Sequence, residues 1–568
     1  MRRWSEVAER VAATTRTSEK TRLLAEYLAT AEPDALAPAV VFFTGRAFGE
    51  ADARSLGLGW ATLADSVTRV AGISRAELGA AYDRYSDLGR AVGDVLASRA
   101  DPPDDRGSPS IPEVAATFGA IEAARGPAAK AVIFEGLLGR CDPLTATYVV
   151  KILGGELRIG LREGLVEAAI SRAFDRPADD VARAAMLTGD LGETALLARD
   201  DRLASARLRL FHPLRFMLAS PAEDAAEIIT RLGAEVWTED KYDGIRAQLH
   251  RRGDDVRLFS RDLHDVSEQF PEVVEAARSL AWDGILDGEL LAVRDGLVLP
   301  FLALQKRLGR KAPAEVIRAE VPVSYVAFDV LAVGPRGGEV VPLLEQPLRE
   351  RRPRLEALDL VEADPARFAL SRLATATSAD DLETIFAAAR ARRNEGLMVK
   401  DPASSYSPGR RGYGWLKMKK ALATLDCVVV GVEVGHGKRH GVLSDYTFAV
   451  RDEVSGALVT IGKAYSGLTD AEIADLTRWF EEHTVSRHGR YRVVEPAIVV
   501  EVAFDVIMRS ARHASGFALR FPRIARVRDD KGPGAADTLA TVARLWQDLQ
   551  AGAEHLVTQR AARAGPRQ

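Results

Sequence analysis

The sequence predicts a multidomain chain: an all-α N-terminal region, a mixed α+β domain, and a small C-terminal β-barrel. Three observations carry that expectation. The first ~200 residues are rich in Ala, Leu, Arg and Glu, with apolar residues at three- and four-residue spacing. From Val236 onward, short β-branched runs bounded by Gly, Pro or Asp take over, with helical pieces between them. After Leu422 the pattern is mainly β, with one helix inside it.

Each element follows in order. Glu19 to Ala31 and Val114 to Ala124 have helical periodicity, and Ser74-Arg75-Ala76-Glu77 has the form of a capping box. Asp101 to Pro112, rich in Pro, Asp and Gly, is a loop by composition. Composition shifts near Leu210, so Phe211 to Ala219 is expected to connect one domain to the next. The runs EVWTED, IRAQLHRR, VRLFSR, GILDGELLAV, VSYVAFDVLAV, EGLMVKDP and GWLKMKK are strand-length, and Ser378 to Ala391 is helical. Beyond them, DCVVVGVEVG, YTFAVRDE, ALVTIGKAY and AIVVEVAFDVIM surround a helix opened by Thr469-Asp470-Ala471-Glu472, with Ile473, Leu476, Trp479 and Phe480 on its apolar face. Several short strands plus one helix suit a barrel of the OB type. The expected domains are 1–205, 206–422 and 423–550, with a loose polar tail at 551–568.

The bulk numbers narrow the class. At 568 residues, with 47% hydrophobic and 28% charged residues, the composition is that of an ordinary globular protein. No apolar run approaches the roughly 20 residues needed to cross a bilayer. The charged N-terminus lacks a signal-like apolar stretch, so a cytoplasmic protein with no membrane partner is expected. Cys141 and Cys427 are too few for a disulfide framework or a four-cysteine zinc site. The net charge of −4 neither supports nor excludes a nucleic-acid partner, because positive charge can be confined to one face.

The chemistry-bearing residues recur in a set order. Glu239-Asp240-Lys241-Tyr242-Asp243-Gly244-Ile245-Arg246 follows a predicted strand. A lysine amine becomes nucleophilic only when deprotonated, which nearby cations or desolvation favour. Trp415-Leu416-Lys417-Met418-Lys419-Lys420 supplies such cations; on a strand, Lys417 and Lys419 share a face about 7 Å apart. Asp287-Gly288-Glu289 and Glu395-Gly396 put acids in apolar strands, and hard oxygen ligands of that kind suit Mg²⁺. Phe328 offers an aromatic face for a purine. Arg509, Arg512, Arg520, Arg523, Arg526, Arg528 and Lys531 form a basic stretch matched to phosphate.

Taken together, these pieces resemble the ordered motifs of the covalent nucleotidyltransferase superfamily, which contains DNA ligases, RNA ligases and capping enzymes. Lys241-Tyr242-Asp243-Gly244, Ser260-Arg261-Asp262, Asp287-Gly288-Glu289, Tyr325 to Val330, Glu395-Gly396, Trp415 to Lys419 and the stretch from Arg520 to Lys531 match in turn. Gln305 to Lys311, Tyr406 to Arg411, and Asp142-Pro143-Leu144 with Tyr148 to Gly160 are similar to ATP-dependent DNA ligases of the three-domain type. The resemblance covers nearly the whole chain and is weakest in the first hundred residues. It implies a helical DNA-binding domain, an adenylation domain and an OB-fold domain.

It also implies the residue roles. Lys241 takes AMP from ATP as a phosphoramidate, and Lys417 and Lys419 neutralise the α-phosphate. Glu239 and Phe328 hold adenine, and Arg246, Arg261 and Arg411 contact nucleotide. Glu289 and Glu395 serve the sugar and Mg²⁺, with Mn²⁺ possible in its place. Arg520, Arg523 and Arg526 close over pyrophosphate. The implied partner is nicked duplex DNA, encircled through phosphate contacts with little sequence preference, and such a clamp can work as a monomer; protein partners are not named by the sequence. The nearest rival is a capping-type guanylyltransferase or RNA ligase, against which stands the long helical region ahead of Lys241. An NAD-dependent ligase would usually carry a four-cysteine zinc module. A non-catalytic scaffold would be expected to lose the lysine or the acids, and all are present.

Overall fold

The computed structural model describes residues 1–551 except 50–53, 99–106, 234, 295–296, 300, 309–312, 393, 420–422, 436–438 and 440. The chain forms two compact units. Among the described residues, one comprises Met1–Leu78 with Leu88–Lys419, and the other comprises Gly79–Asp87 with residues 423–551. Among the described residues, no helix is long and apolar enough to cross a membrane.

The first unit opens on helices, beginning with Arg2–Ala13, Thr17–Leu28 and Pro33–Phe43. Their apolar faces meet around Trp4, whose ring stacks on Phe43 at 4.5 Å and meets Phe42 and Tyr148 edge-on. The indole N–H donates to the Ala39 carbonyl at 3.1 Å, so this large aromatic is buried with its polar atom satisfied. The sequence expectation of a loop from Asp101 to Pro112 fails at its end, where Ile111 and Pro112 open the helix Ile111–Ala123. Ser110 and Glu113 form a reciprocal capping box there, and Pro in the first turn loses no hydrogen bond. Residues 101–106 of that stretch lie outside the described residues.

Twelve strands follow: β1 (Leu218–Ala222), β2 (Val236–Lys241), β3 (Ile245–Arg252), β4 (Asp255–Ser260), β5 (Trp282–Arg294), β6 (Leu297–Val298), β7 (Val323–Pro335), β8 (Val341–Pro342), β9 (Phe368–Leu370), β10 (Leu373–Ala376), β11 (Gly396–Lys400) and β12 (Arg411–Met418). One sheet runs β1-β12-β11-β2-β10. The other runs β4-β3-β5-β7-β8, with β6 on β5 and β9 on β7. Helix Ala379–Ala391, capped by Ser378, buries Leu382, Phe386 and Ala389 against the first sheet. Leu249, Leu258, Phe270, Leu286, Leu290 and Tyr325 anchor the core of the second. Burying each such side chain contributes about 1.5–3 kcal/mol.

The helical region and these sheets share a core. Ala184 and Leu187, from the helix Ala178–Thr188, pack with Leu214 and Met217 of the connecting segment and with Ile285, Leu331, Leu344, Tyr406 and Trp415. Gln248 clamps the connection by accepting from Leu214 N at 3.0 Å and donating to Leu214 O at 2.6 Å.

The second unit contains β13 (Ala423–Val434), β14 (Leu443–Arg451), β15 (Leu458–Ala464), β16 (Thr484–His488), β17 (Tyr491–Val494), β18 (Val499–Phe504), β19 (Val506–Arg509), β20 (Phe517–Arg520) and β21 (Arg523–Val527). The long β13 pairs with β14 along one edge and with β17 and β18 along the other, bending at two bulges. The helix Asp470–Glu482 carries the expected Thr469–Glu472 capping box and buries Ile473, Leu476 and Phe480. Trp479 stays half-buried and stacks on His483 at 3.9 Å. The unit is the β-rich OB-type domain that the strand pattern predicted.

Candidate active site

Strand register builds one polar face. β11 lies between β2 and β12, setting Lys241 opposite Gly396, Glu239 opposite Met398, and Trp237 opposite Lys400. On the other side, Met398 faces Lys417 and Lys400 faces Trp415. Side chains two apart on a strand share a face, so Glu239, Lys241, Lys400, Trp415 and Lys417 project together. β12 ends at Met418, so Lys419 sits just past the strand rather than on it.

Two glycines bring the strands this close. Gly396 has φ +154°, a region essentially closed to other residues, and an added Cβ would lie 2.2 Å from the Met418 carbonyl. Gly244, in the turn after Lys241, leaves room for β5; a Cβ there would lie 2.5 Å from Leu290 O and 2.8 Å from Glu289 Cγ.

Lys241 is paired with Glu395, the residue just before β11. Cations crowd the same place. Burial, then the charges of Lys419, Lys241, Arg411 and Arg261, hold the Lys417 ammonium below its ordinary value. Glu289, on β5 opposite Arg246, is pushed up to about 8 by burial, although the charges of Arg246 and Lys241 pull the other way. Its charged form is therefore poorly solvated there, a cost that a bound cation would offset. Among the described residues, no group of three or more His, Cys, Asp or Glu could hold a metal by itself. Mg²⁺ usually takes one or two carboxylates and fills its remaining positions with phosphate oxygens and water, so Glu289 and Glu395 fit a metal that arrives with a nucleotide.

Arg246 is held by Asp287, through Nε to Oδ1 at 3.1 Å and Nη2 to Oδ2 at 2.6 Å, and Nη1 donates to Met217 O at 2.7 Å. The Tyr406 hydroxyl donates to Asp287 Oδ2 at 2.7 Å and accepts from Met217 N at 3.1 Å. This closed ring ties β3, β5, the connecting segment and the loop before β12 together. Asp287 stood in the sequence as part of an acidic pair, but its role as the anchor of Arg246 depends on Tyr406, 119 residues away.

Glu239 is buried between two cations. Lys400 Nζ donates to its Oε2 at 2.7 Å, and Arg352 Nη1 stands 3.6 Å from its Oε1. Oε1 has no hydrogen-bond partner among the described residues. Lys400 also lies 4.2 Å from the Trp415 ring and 4.8 Å from the Phe328 ring, and Arg246 stands 5.3 Å from Phe328. Sequence reasoning did not assign roles to Lys400 and Arg352. The two-residue alternation on β11 was the available signal for Lys400, while Arg352 comes from a helix, Leu348–Glu356, that no motif marks.

The structure thus gathers Lys241, Glu239, Arg246, Glu289, Phe328, Glu395 and Lys417, with the charges of Arg261, Arg411 and Lys419 reaching them. Arg520, Arg523 and Arg526 belong to the second unit, on β20 and β21. There Arg526 pairs with Glu501 at 2.6 Å and Arg523 with Asp505 at 3.4 Å.

Three family matches tile the chain: DNA ligase N terminus over residues 1–171, ATP dependent DNA ligase domain over 216–419, and ATP dependent DNA ligase C terminal region over 439–531. A probable DNA ligase of Koribacter versatilis is 47% identical, covering 96% of each chain. One of Opitutus terrae is 46% identical over 96% of this chain but only 62% of its own length, so this chain spans less than two thirds of that relative. A DNA ligase of Archaeoglobus fulgidus is 34% identical over 96% of this chain and 98% of its own. The solved structure called Pmar-Lig_PreS3 shares the fold, with TM-score 0.60 at 15% identity over 92% of this chain and 99% of its own. The chain belongs to the ATP-dependent DNA ligase family, whose general reaction is nick sealing through an adenylated intermediate.

Proposed function

We propose that this chain seals 3′-hydroxyl/5′-phosphate nicks in duplex DNA, with Lys241 as the residue that carries AMP. The observation that supports this reading most is the placement of Lys241 and Lys417 on one sheet face, where the charges of Lys419, Lys241, Arg411 and Arg261 all bear on Lys417. That gathering of cations attracts a polyphosphate.

Glu395 releases Lys241 when nucleotide enters. Nζ, having given its ammonium proton to solvent, attacks the α-phosphorus of ATP; an N–P bond forms as Nζ sheds a second proton to solvent, and the α–β bridging bond breaks with its electron pair leaving on pyrophosphate. Lys417 and Lys419 meet the charge developing on the α-phosphate. An oxygen of the nick's 5′-phosphate then displaces Lys241 from the AMP phosphorus, and the amine recovers a proton. The 3′-hydroxyl oxygen attacks the 5′-phosphorus last, loses its proton, and expels AMP. Glu239 and Phe328 hold adenine; Arg246, Arg261 and Arg411 orient sugar and phosphate. Mg²⁺, or Mn²⁺, held by Glu289 and Glu395 would offset phosphate charge. Arg520, Arg523 and Arg526 serve the first step by binding pyrophosphate.

The same reading divides the chain at 1–205, 206–422 and 423–550, and makes it a cytoplasmic monomer that binds nicked duplex DNA through phosphate, weakening with salt. Gel assays of sealing test it. The Lys241→Ala variant should fail on a plain nick with ATP yet still seal a nick that already carries AMP. Sealing of the plain nick at the wild-type rate would refute the role given to Lys241.

A further inference from the structure

We propose that Lys400 is a positioning residue that sets the choice of ATP over GTP, by fixing Glu239 as an ionised acceptor with one oxygen left without a hydrogen-bond partner. This rests on the reading of Glu239 as the residue that meets the base. An adenine presents an amine donor at C6, where guanine presents a carbonyl acceptor. An ionised carboxylate accepts and never donates, so it accepts from adenine and repels guanine, provided that it stays ionised and does not rotate.

The surroundings of Glu239 meet both conditions. Glu239 is 3% exposed and Lys400 1%, so neither charge is solvated, and each depends on the other. Lys400 Nζ engages Oε2 alone, at 2.7 Å. Arg352 does not take the second oxygen. Its Nη1 and Nη2 donate to Ser371 Oγ and Ser371 O, both at 2.9 Å, and its Nε donates to Glu356 Oε1 at 2.7 Å. Held 3.6 Å away, it lends charge to Oε1 without closing it. Oε1 is therefore a buried acceptor with its hydrogen bond unmade, a condition that favours the arrival of a donor. Lys400 is itself fixed, because its ammonium rests over the rings of Trp415 and Phe328. One side chain thus orients the edge reader and touches the ring assigned to stacking. Without the ammonium, nothing would hold Oε2, and the carboxylate would be free to turn its acceptor away from the base.

The test is transfer of label from ATP and from GTP to the full-length protein, with kcat and KM measured for each nucleotide. Lys400→Met should raise KM for ATP at least tenfold, leave the maximal rate of label transfer within about threefold, and lower the ATP:GTP ratio of kcat/KM at least tenfold. Lys400→Arg, which restores a cation, should bring the ratio back to within about threefold of wild type. An unchanged ratio in a Lys400→Met protein that melts like the wild type overturns the proposal. Should Lys400→Met not fold, Arg352→Met is measured instead: a tenfold fall in the ratio supports the paired-cation arrangement and an unchanged ratio overturns it. Glu239→Gln separates the two levels. If it keeps the ratio, the base-reading role of Glu239 is wrong. If it loses the ratio while Lys400→Met keeps it, only the role of Lys400 is wrong.

Discussion

A lysine that attacks phosphorus must first lose a proton and its ion-pair partner, and the Lys241–Glu395 pair fixes which partner that is. Around it, single residues do separable work: Lys417 gathers charge on the same face, Glu289 is assigned to the metal, and Gln248 and His250 hold the connecting segment. His250 is fully buried and accepts from Phe211 N at 3.0 Å through Nδ1, so its proton sits on Nε2, facing Gln248 Oε1 at 3.1 Å. Burial, with a smaller push from His212, drives it down to about 3. The unfolded chain binds a proton near pH 6.5 and the folded chain does not, so its contribution is intact above that pH and is lost as pH falls toward 3. At pH 5 the loss is about 2 kcal/mol, from 1.5 pH units at 1.36 kcal/mol each. Denaturant unfolding at pH 7.5 and 5 should therefore show the wild type losing about 2 kcal/mol more than His250→Gln; equal losses would refute it. The site lysines and acids were legible in the sequence because each sits in a short run of unusual composition. The partnerships of Asp287 with Tyr406 and of Glu239 with Lys400 and Arg352 were not, because only folding brings such distant residues into contact.

At the scale of elements, strand order does what no single motif can. β11 separates β2 from β12 by one strand width, and its first residue has to be glycine for Lys241 and Lys417 to approach. Gly396→Ala should cost about 3 kcal/mol, from a forbidden φ and a Cβ driven into the Met418 carbonyl. An unfolding free energy within about 0.5 kcal/mol of wild type, by the same kind of measurement, would show that β11 is not pinned there. Strand runs were readable as short β-branched stretches bounded by Gly, Pro or Asp, since strands packed on both faces, such as β5 and β7, are buried almost throughout rather than at alternate positions. The helix start at Ile111 was hidden by composition: Ser110, Pro112 and Glu113 look like loop residues in isolation and are cap residues in context. The end of β12 at Met418 was hidden as well, since the lysine-rich run continues past it without a break in character.

For the molecule as a whole, the net charge of −4 conceals a local excess of cations at the nucleotide face, which is how an acidic protein can serve polyphosphate and DNA. The arginines of β20 and β21 are assigned to the first chemical step alone, and that separates the steps experimentally. Arg523→Ala should lower transfer of AMP to the protein about a hundredfold, the scale of losing one charge-stabilising donor, while leaving sealing of pre-adenylated nicks within about threefold; equal loss of both would contradict the division. The central claim is more direct still. Purified protein, first stripped of bound AMP with pyrophosphate, is incubated with labelled ATP, GTP or NAD and Mg²⁺, denatured, and examined for retained label beside Lys241→Ala. Label from ATP alone, acid-labile and absent from the variant, is the expected result. Label retained by Lys241→Ala, or drawn from GTP or NAD instead of ATP, would contradict the account.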